Sequence, residues 1–524
     1  MRLNFAGRII KIVFVILLIY YPILSARPQN SIGNNNLDDT TTTNQEWKLF
    51  YNDHAFNKLY LVFAGPYPAS PTSSFGHIFV LLEPQKDRPF LLWDAMDFSA
   101  NITNVGAFDF FLKGLFGGLD GQYKEISFYE KLREYTFIES RSLWLFPIQL
   151  DKQESKNFLF RFFNLSNKIY PYRFTNRNCA SQIYNLIKLS IDDSFKQENQ
   201  LVFPHTIING LKNRISDPIF IESIDNLLKD NVKKITLTTC NSENKLFEYN
   251  NANDAILLNT LEWKYSQDHD HLTTEENTKL QNLRKLVSLS SNNEYNNFKS
   301  YPRVFDIHPT MLAGCGLRMS NDDGMEYLLM YRFGIHEYFE NCNVYPKNDF
   351  LNLLKIDLGI KKNKIQINRL MLFNQTSLQP ASFVSNYLSW KLGAGIEQKD
   401  EFMDRQLSSG IFTGFGYTVA LLDDKITLSL LINAEPVYLE KFGLAFLTGH
   451  EIITIWNLSD RIKWMNCLKG TMKNIATLQI YYYLENNLAF EISKNIMLLL
   501  STKFTEYDKF YNIKVNFYIR ASAK

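Results

Sequence analysis

Asn178-Cys179-Ala180 places a thiol directly behind a residue type that caps helices, and Ile183, Leu186 and Ile187 continue at helical spacing. A sulfur in the first turn of a helix meets the positive end of the dipole and backbone amides, both of which favour the thiolate. Acyl transfer by a thiolate needs an imidazole that accepts and returns a proton, and His54 and His77 precede the cysteine. His77 is the better placed, because Ser73-Ser74-Phe75-Gly76-His77 sets it at the start of a strand behind a small residue. A third polar group usually orients the imidazole; Asp94 and Asp97 qualify, with Asp97 ranked first. The amides at Asn178, Cys179 and Ala180 are the candidates for an oxyanion hole. The bland alternative is a buried apolar cysteine and a core histidine bonded to a carbonyl.

Positioning these residues requires a sheet with helices against it. Residues 59–63 and 77–82 read as buried strands separated by Gly65, Pro66, Pro68 and Pro71, and residues 90–93 as a third strand. Four glycines within 114–121 suit a close backbone turn beside a site. Residues 143–148 read as another strand, and 151–169 as a helix with Phe158, Leu159, Phe162 and Leu165 on one face.

The 524-residue chain is too long for one ordinary core. Its aromatic content of 15% suits thick cores, lipid contact or a barrel surface, and its net charge of +2 supplies no basic excess to hold nucleic acid. Arg2, Arg8 and Lys11 lead into an apolar run at 12–24, so residues 1–26 read as a signal peptide or a retained anchor. Residues 27–46, rich in Asn and Thr, read as a disordered linker; 47–202 form the first domain and 203–307 a helical connector. No metal or cofactor is expected, since His269 and His271 in that connector read as a solvated surface feature. Export favours disulfides, and with Cys179 kept free, Cys240, Cys315, Cys342 and Cys467 are left either to pair or to stay as core thiols.

From 308 to 524 the texture is antiparallel β. Ile513, Val515, Phe517 and Ile519 alternate with Asn512, Lys514, Asn516 and Tyr518, while Asp423-Asp424 and Lys494-Asn495 mark tight turns and Tyr481, Tyr482 and Tyr483 an interfacial cluster. An outer-membrane-type barrel is favoured over a sandwich. The whole is thus an α+β chain ending in an all-β domain.

Leu61-Val62-Phe63-Ala64, Pro71-Thr72-Ser73-Ser74-Phe75-Gly76-His77-Ile78-Phe79, Tyr172-Arg173-Phe174 and Asn178-Cys179-Ala180, with Gly117-Gly118 and Arg141-Ser142-Leu143-Trp144 between them, carry a resemblance. They resemble the N-terminal periplasmic domain of the Lnb-type lipoprotein N-acyltransferases and their envelope relatives. The resemblance implies a permuted papain-like fold, in which histidine precedes the nucleophilic cysteine, as His77 precedes Cys179 here. Tyr331-Arg332-Phe333 with His336-Glu337, then Ser377-Leu378 and Ser389-Trp390, resemble the strand-rich second domain of those envelope relatives, which implies a structural role for Arg332 and His336. Unlike the acyltransferases, which end in helical membrane spans, this chain ends in strands.

Three functions compete. The first is a thiol-dependent acyltransferase at the membrane, with a phospholipid donor and a lipoprotein amine as acceptor. The second is a cell-wall amidase or endopeptidase acting on peptidoglycan peptides. The third is a non-catalytic envelope protein.

Overall fold

The computed structural model describes residues 42–223 and 302–521 apart from short internal stretches, the longer of which are 102–109, 196–202, 382–386, 400–405, 473–479 and 506–510, and isolated positions between 226 and 281. The apolar run at 12–24, the stretch 27–41, His269, His271, Cys240 and Cys342 lie outside the described residues. The chain forms two compact units, the first up to residue 301 without 66–74 and the second from 302 onward together with 66–74.

The first unit is a seven-stranded antiparallel sheet in the order β6-β4-β3-β2-β1-β5-β7, built from β1 (Phe56–Ala64), β2 (His77–Pro84), β3 (Asp94–Ala100), β4 (Leu119–Ser127), β5 (Leu143–Ile148), β6 (Ile169–Tyr172) and β7 (Ile219–Ile221). The central strands β1 and β2 are buried on both faces, as their continuous apolar sequence demands. On one face Val62, Phe79, Leu81, Ala95, Phe128 and Tyr135 form a core cluster. Elsewhere Phe98 and Tyr123 meet tilted with a centroid separation of 4.8 Å, and Tyr123 meets Phe162 of the helix α3 (Lys152–Ser166) edge-on.

Three local expectations need correction. Residues 90–93 are not a strand: Phe90–Leu92 is a 3₁₀ turn, and β3 begins at Asp94. The turn brings Phe90 and Trp93, three residues apart, into ring contact at 4.9 Å while Leu91 and Leu92 face outward. The first helix, α1 (Thr42–His54), starts inside the stretch read as linker. Its Trp47 and Phe50 pack on Phe160 and Phe163 of α3, contacts that composition alone does not reveal. The start of the expected connector also belongs to this unit, since α5 (Pro204–Gly210) follows α4 (Cys179–Ile191) and β7 pairs with β5.

The second unit is a closed barrel of twelve antiparallel strands, from β8 (Met311–Ser320) and β9 (Gly324–His336) to β19 (Tyr511–Ala521), which pairs back to β8 through Asn516 opposite Gly316. Closure removes the exposed edges that a sandwich would keep. Alternation sorts the wall: in β14 (Ile426–Leu439) Thr427, Ser429, Asn433 and Glu435 are buried, whereas Leu428, Leu430 and Ile432 stand outside. Ile513, Val515, Phe517 and Ile519 face outward in the same way. Cys315 is exposed and Cys467 buried, and both are free thiols. Among the described residues no helix is long and apolar enough to cross a membrane, a statement that leaves strands aside.

Of the residues between β9 and β10 (Asp349–Lys361), 338–340 turn into the barrel. Tyr338 and Phe339 pack on the inner-wall cluster of Leu431, Ile453, Ile455 and Cys467, and Glu340 is wholly buried.

Candidate active site

Cys179 opens α4 because Asn178 holds an extended backbone and caps the helix. Asn178 Oδ1 accepts the Ser181 amide at 2.9 Å, and Ser181 Oγ accepts the Asn178 amide at 3.1 Å, a reciprocal capping box. The cap therefore uses the Asn178 amide. The Cys179 amide meets the Tyr172 hydroxyl, while the Ala180 amide occupies an early helical position that has no intrahelical acceptor.

His77 is the first residue of β2. Gly76 before it has φ of +85°, and a Cβ there would fall 2.7 Å from the Phe63 ring, so the bend that delivers His77 needs glycine. Arg141 holds the neighbouring end of β1, donating to the Gly65 and Ala64 carbonyls at 2.5 and 3.3 Å while its guanidinium lies over the Tyr135 ring. β3 pairs with β2 through Met96 opposite Val80, and one step on Asp97 comes within reach of His77. His77 Nε2 donates to Asp97 Oδ1 at 2.7 Å, which leaves Nδ1 for the Cys179 sulfur. The Ile78 amide also donates to that sulfur.

The electrostatics follow from burial and partners. Asp97 has no exposed surface; burial alone would raise its carboxyl, but His77 and Lys131 together hold it far below the usual carboxylate range. Burial opposes charge on His77, yet Cys179 and Asp97 outweigh it and raise the imidazole to about 10. Burial likewise opposes ionisation of Cys179, and the His77 charge and hydrogen bond still bring the thiol below its ordinary value. Both shifts act in the direction of a thiolate–imidazolium pair.

The structure therefore brings Cys179, His77 and Asp97 together. The other two candidates are engaged elsewhere: His54 pairs with Glu125 at 2.9 Å, and Asp94 with Arg88 at 3.2 Å. Sequence reasoning did not single out Lys131, whose ammonium lies 2.8 Å from Asp97 Oδ2, nor the part played by Tyr172. A lysine in a short helical segment carries no local mark of burial.

Among the described residues one group in the second unit has metal-ligand chemistry: His308, His336 and Glu340, all buried. Glu340 is already saturated. It accepts from Arg332 at 2.8 and 2.9 Å, from Arg520 at 3.0 Å and from the Glu337 amide at 2.7 Å, so a cation would have to displace guanidinium groups. The residues fit an internal ion-pair network better than a metal centre.

A sheet domain joined to a closed barrel with an apolar outer wall defines an exported, outer-membrane-associated protein. Residues 46–214 match the family of the Lnb N-terminal periplasmic domain, so the first domain is of that kind, and residues 306–519 match a family described as Domain of unknown function (DUF7840). No curated protein matches the chain. Similar solved structures include the KdgM porin, with 8% identity over 40% of this chain and 99% of that one at a TM-score of 0.26. Omp33 of Acinetobacter baumannii has 6% identity over 41% of this chain and 100% of that one at 0.25. Likenesses this distant say nothing about transport or substrate.

Proposed function

We propose that the first domain is a thiol-dependent acyl-transfer enzyme of the cell envelope. The observation that carries this reading is the buried line from Cys179 through His77 to Asp97, with the sulfur at a capped helix start. In the first step the Cys179 thiolate attacks an acyl carbonyl and a carbon–sulfur bond forms. As the carbon–oxygen bond of an ester donor breaks, the His77 imidazolium gives its proton to the departing alkoxide. In the second step an amine attacks the thioester, His77 takes the amine's proton, and carbon–sulfur cleavage restores the thiolate. The Ala180 amide, with the Tyr172 hydroxyl nearby, is the candidate stabiliser of the tetrahedral oxyanion.

An outer-membrane barrel in the same chain supports a lipid donor, a phospholipid whose acyl group passes to the amino terminus of a lipoprotein. Incubation of the full chain in phospholipid vesicles should give an acyl adduct on Cys179, detected by mass spectrometry and absent from His77→Ala. Cleavage of peptidoglycan peptides without a lipid adduct would move the assignment to a wall peptidase. No adduct and no cleavage would sink the catalytic reading.

A further inference from the structure

Lys131 is the buried charge that the reaction scheme above does not use. Its side chain is only 7% exposed, and it lies in the short helix Phe128–Leu132, which runs on into a widened π turn, Arg133–Ile138. Ammonium groups are rarely buried unless another group requires them. Here that group is Asp97, whose two oxygens face two different cations: His77 Nε2 at 2.7 Å on Oδ1 and Lys131 Nζ at 2.8 Å on Oδ2.

We propose that Lys131 is a positioning residue of the thiol site, clamping Asp97 from the side away from His77 and limiting how firmly the imidazolium retains its proton; this rests on the acyl-transfer reading. The first half of the role is geometric. The terminal torsion of an aspartate is broad, and a carboxylate held at one oxygen can rotate. Held at both, it presents Oδ1 to His77 in one orientation and thereby aims Nδ1 at the sulfur.

The second half is electrostatic. Thiolate, imidazolium, carboxylate and ammonium alternate in sign along the line. A buried carboxylate without a counter-charge would bind the imidazolium proton tightly, whereas the reaction requires His77 to release it to the leaving group. The other charged and titratable groups around the line are few. Glu134, half exposed, and the Tyr135 hydroxyl take Lys131 hydrogen bonds at 3.3 and 3.2 Å. Arg141 lies over the Tyr135 ring, and the Tyr172 hydroxyl meets the Cys179 amide. None of these contacts supplies the second cation on Asp97.

The test is the pH dependence of Cys179 alkylation by iodoacetamide, read by mass spectrometry on the full chain in detergent, for the wild type, His77→Ala, Lys131→Gln, Lys131→Met and Lys131→Arg. The wild type should alkylate on an acidic limb that His77→Ala abolishes. Removing the Lys131 charge should move that limb to higher pH, slowing alkylation at a fixed pH on the limb about threefold to tenfold, as expected for one charge acting across a partly buried site. The alkaline plateau should stay unchanged, which shows the site is folded. Lys131→Arg should restore the wild-type limb, and Lys131→Gln, which keeps a hydrogen-bond donor, covers the case in which Lys131→Met does not fold. A limb unmoved in Lys131→Gln overturns the role of Lys131 and leaves the acyl-transfer reading standing. A wild-type limb that ignores His77 overturns both.

Discussion

Among the described residues, histidine, carboxylate and buried cation meet in both units, and the two clusters differ in what is left over. In the first domain Asp97 is shared between His77 and Lys131, and the far nitrogen of His77 points at a thiol on a helix start. In the barrel Glu340 is shared between Arg332 and Arg520, His308 and His336 hydrogen-bond each other at 3.0 Å, and the carboxylate is fully engaged by these cations and the Glu337 amide. Lys463 completes that network by donating to the carbonyls of Tyr338 and Glu340 at 3.0 and 2.9 Å. The bonds from Arg332, Arg520 and Lys463 tie the segment after β9 to the inner wall. The same residue types thus leave a thiol at the end of the line in the first domain, and anchor a segment where the carboxylate is fully consumed.

The largest contrast should come from substitutions at the two centres. Cys179→Ala should abolish the acyl adduct, while Glu340→Gln leaves adduct formation on Cys179 within about twofold; equal losses in both variants would erase the distinction between them.

Next in size is the cost of breaking the barrel network. Glu340→Ala leaves the buried Arg332 guanidinium without its hydrogen-bonded carboxylate and Arg520 with Glu491 alone, a loss of about 3–5 kcal/mol. It should loosen the inward segment, seen as higher conductance in planar bilayers than the wild type and a lower temperature for loss of compact migration on gels. Unchanged conductance would show that the segment does not obstruct the lumen.

A smaller effect separates the units by pH. Asp97 is held below its unfolded value, so its contribution is present above about pH 4 and lost as pH falls. His77 is raised to about 10, so its contribution is complete below about pH 6.5 and lost as pH rises through 10. Proteolysis of the first domain should therefore accelerate at both extremes, by an amount that reflects on the order of a few kcal/mol, and Asp97→Asn should flatten the acid side. A flat profile for the wild type would remove the buried pair as a source of stability.

Much of the site could be read before any fold was known. Asn178 before Cys179 announces a helix start, Gly76 before His77 a bend into a strand, and Asp97 lies in the strand that follows. The alternation of Ile513, Val515, Phe517 and Ile519 with polar neighbours likewise assigns the outer wall, because period two is a property of adjacent residues. Residues 90–93 read as a strand because a 3₁₀ turn and a short strand share the same apolar signal, and only packing of Phe90 on Trp93 decides between them.

The burial of Lys131, the closure of β19 on β8 and the inward turn after β9 belong to tertiary structure alone. Each depends on partners far along the chain: a lysine is buried only when Asp97 arrives from another strand, and a sheet closes only when its last strand finds its first. The line through His77 and Cys179 began as residue types with suitable local settings. What the fold added is the charge behind Asp97 that decides how the imidazole holds its proton.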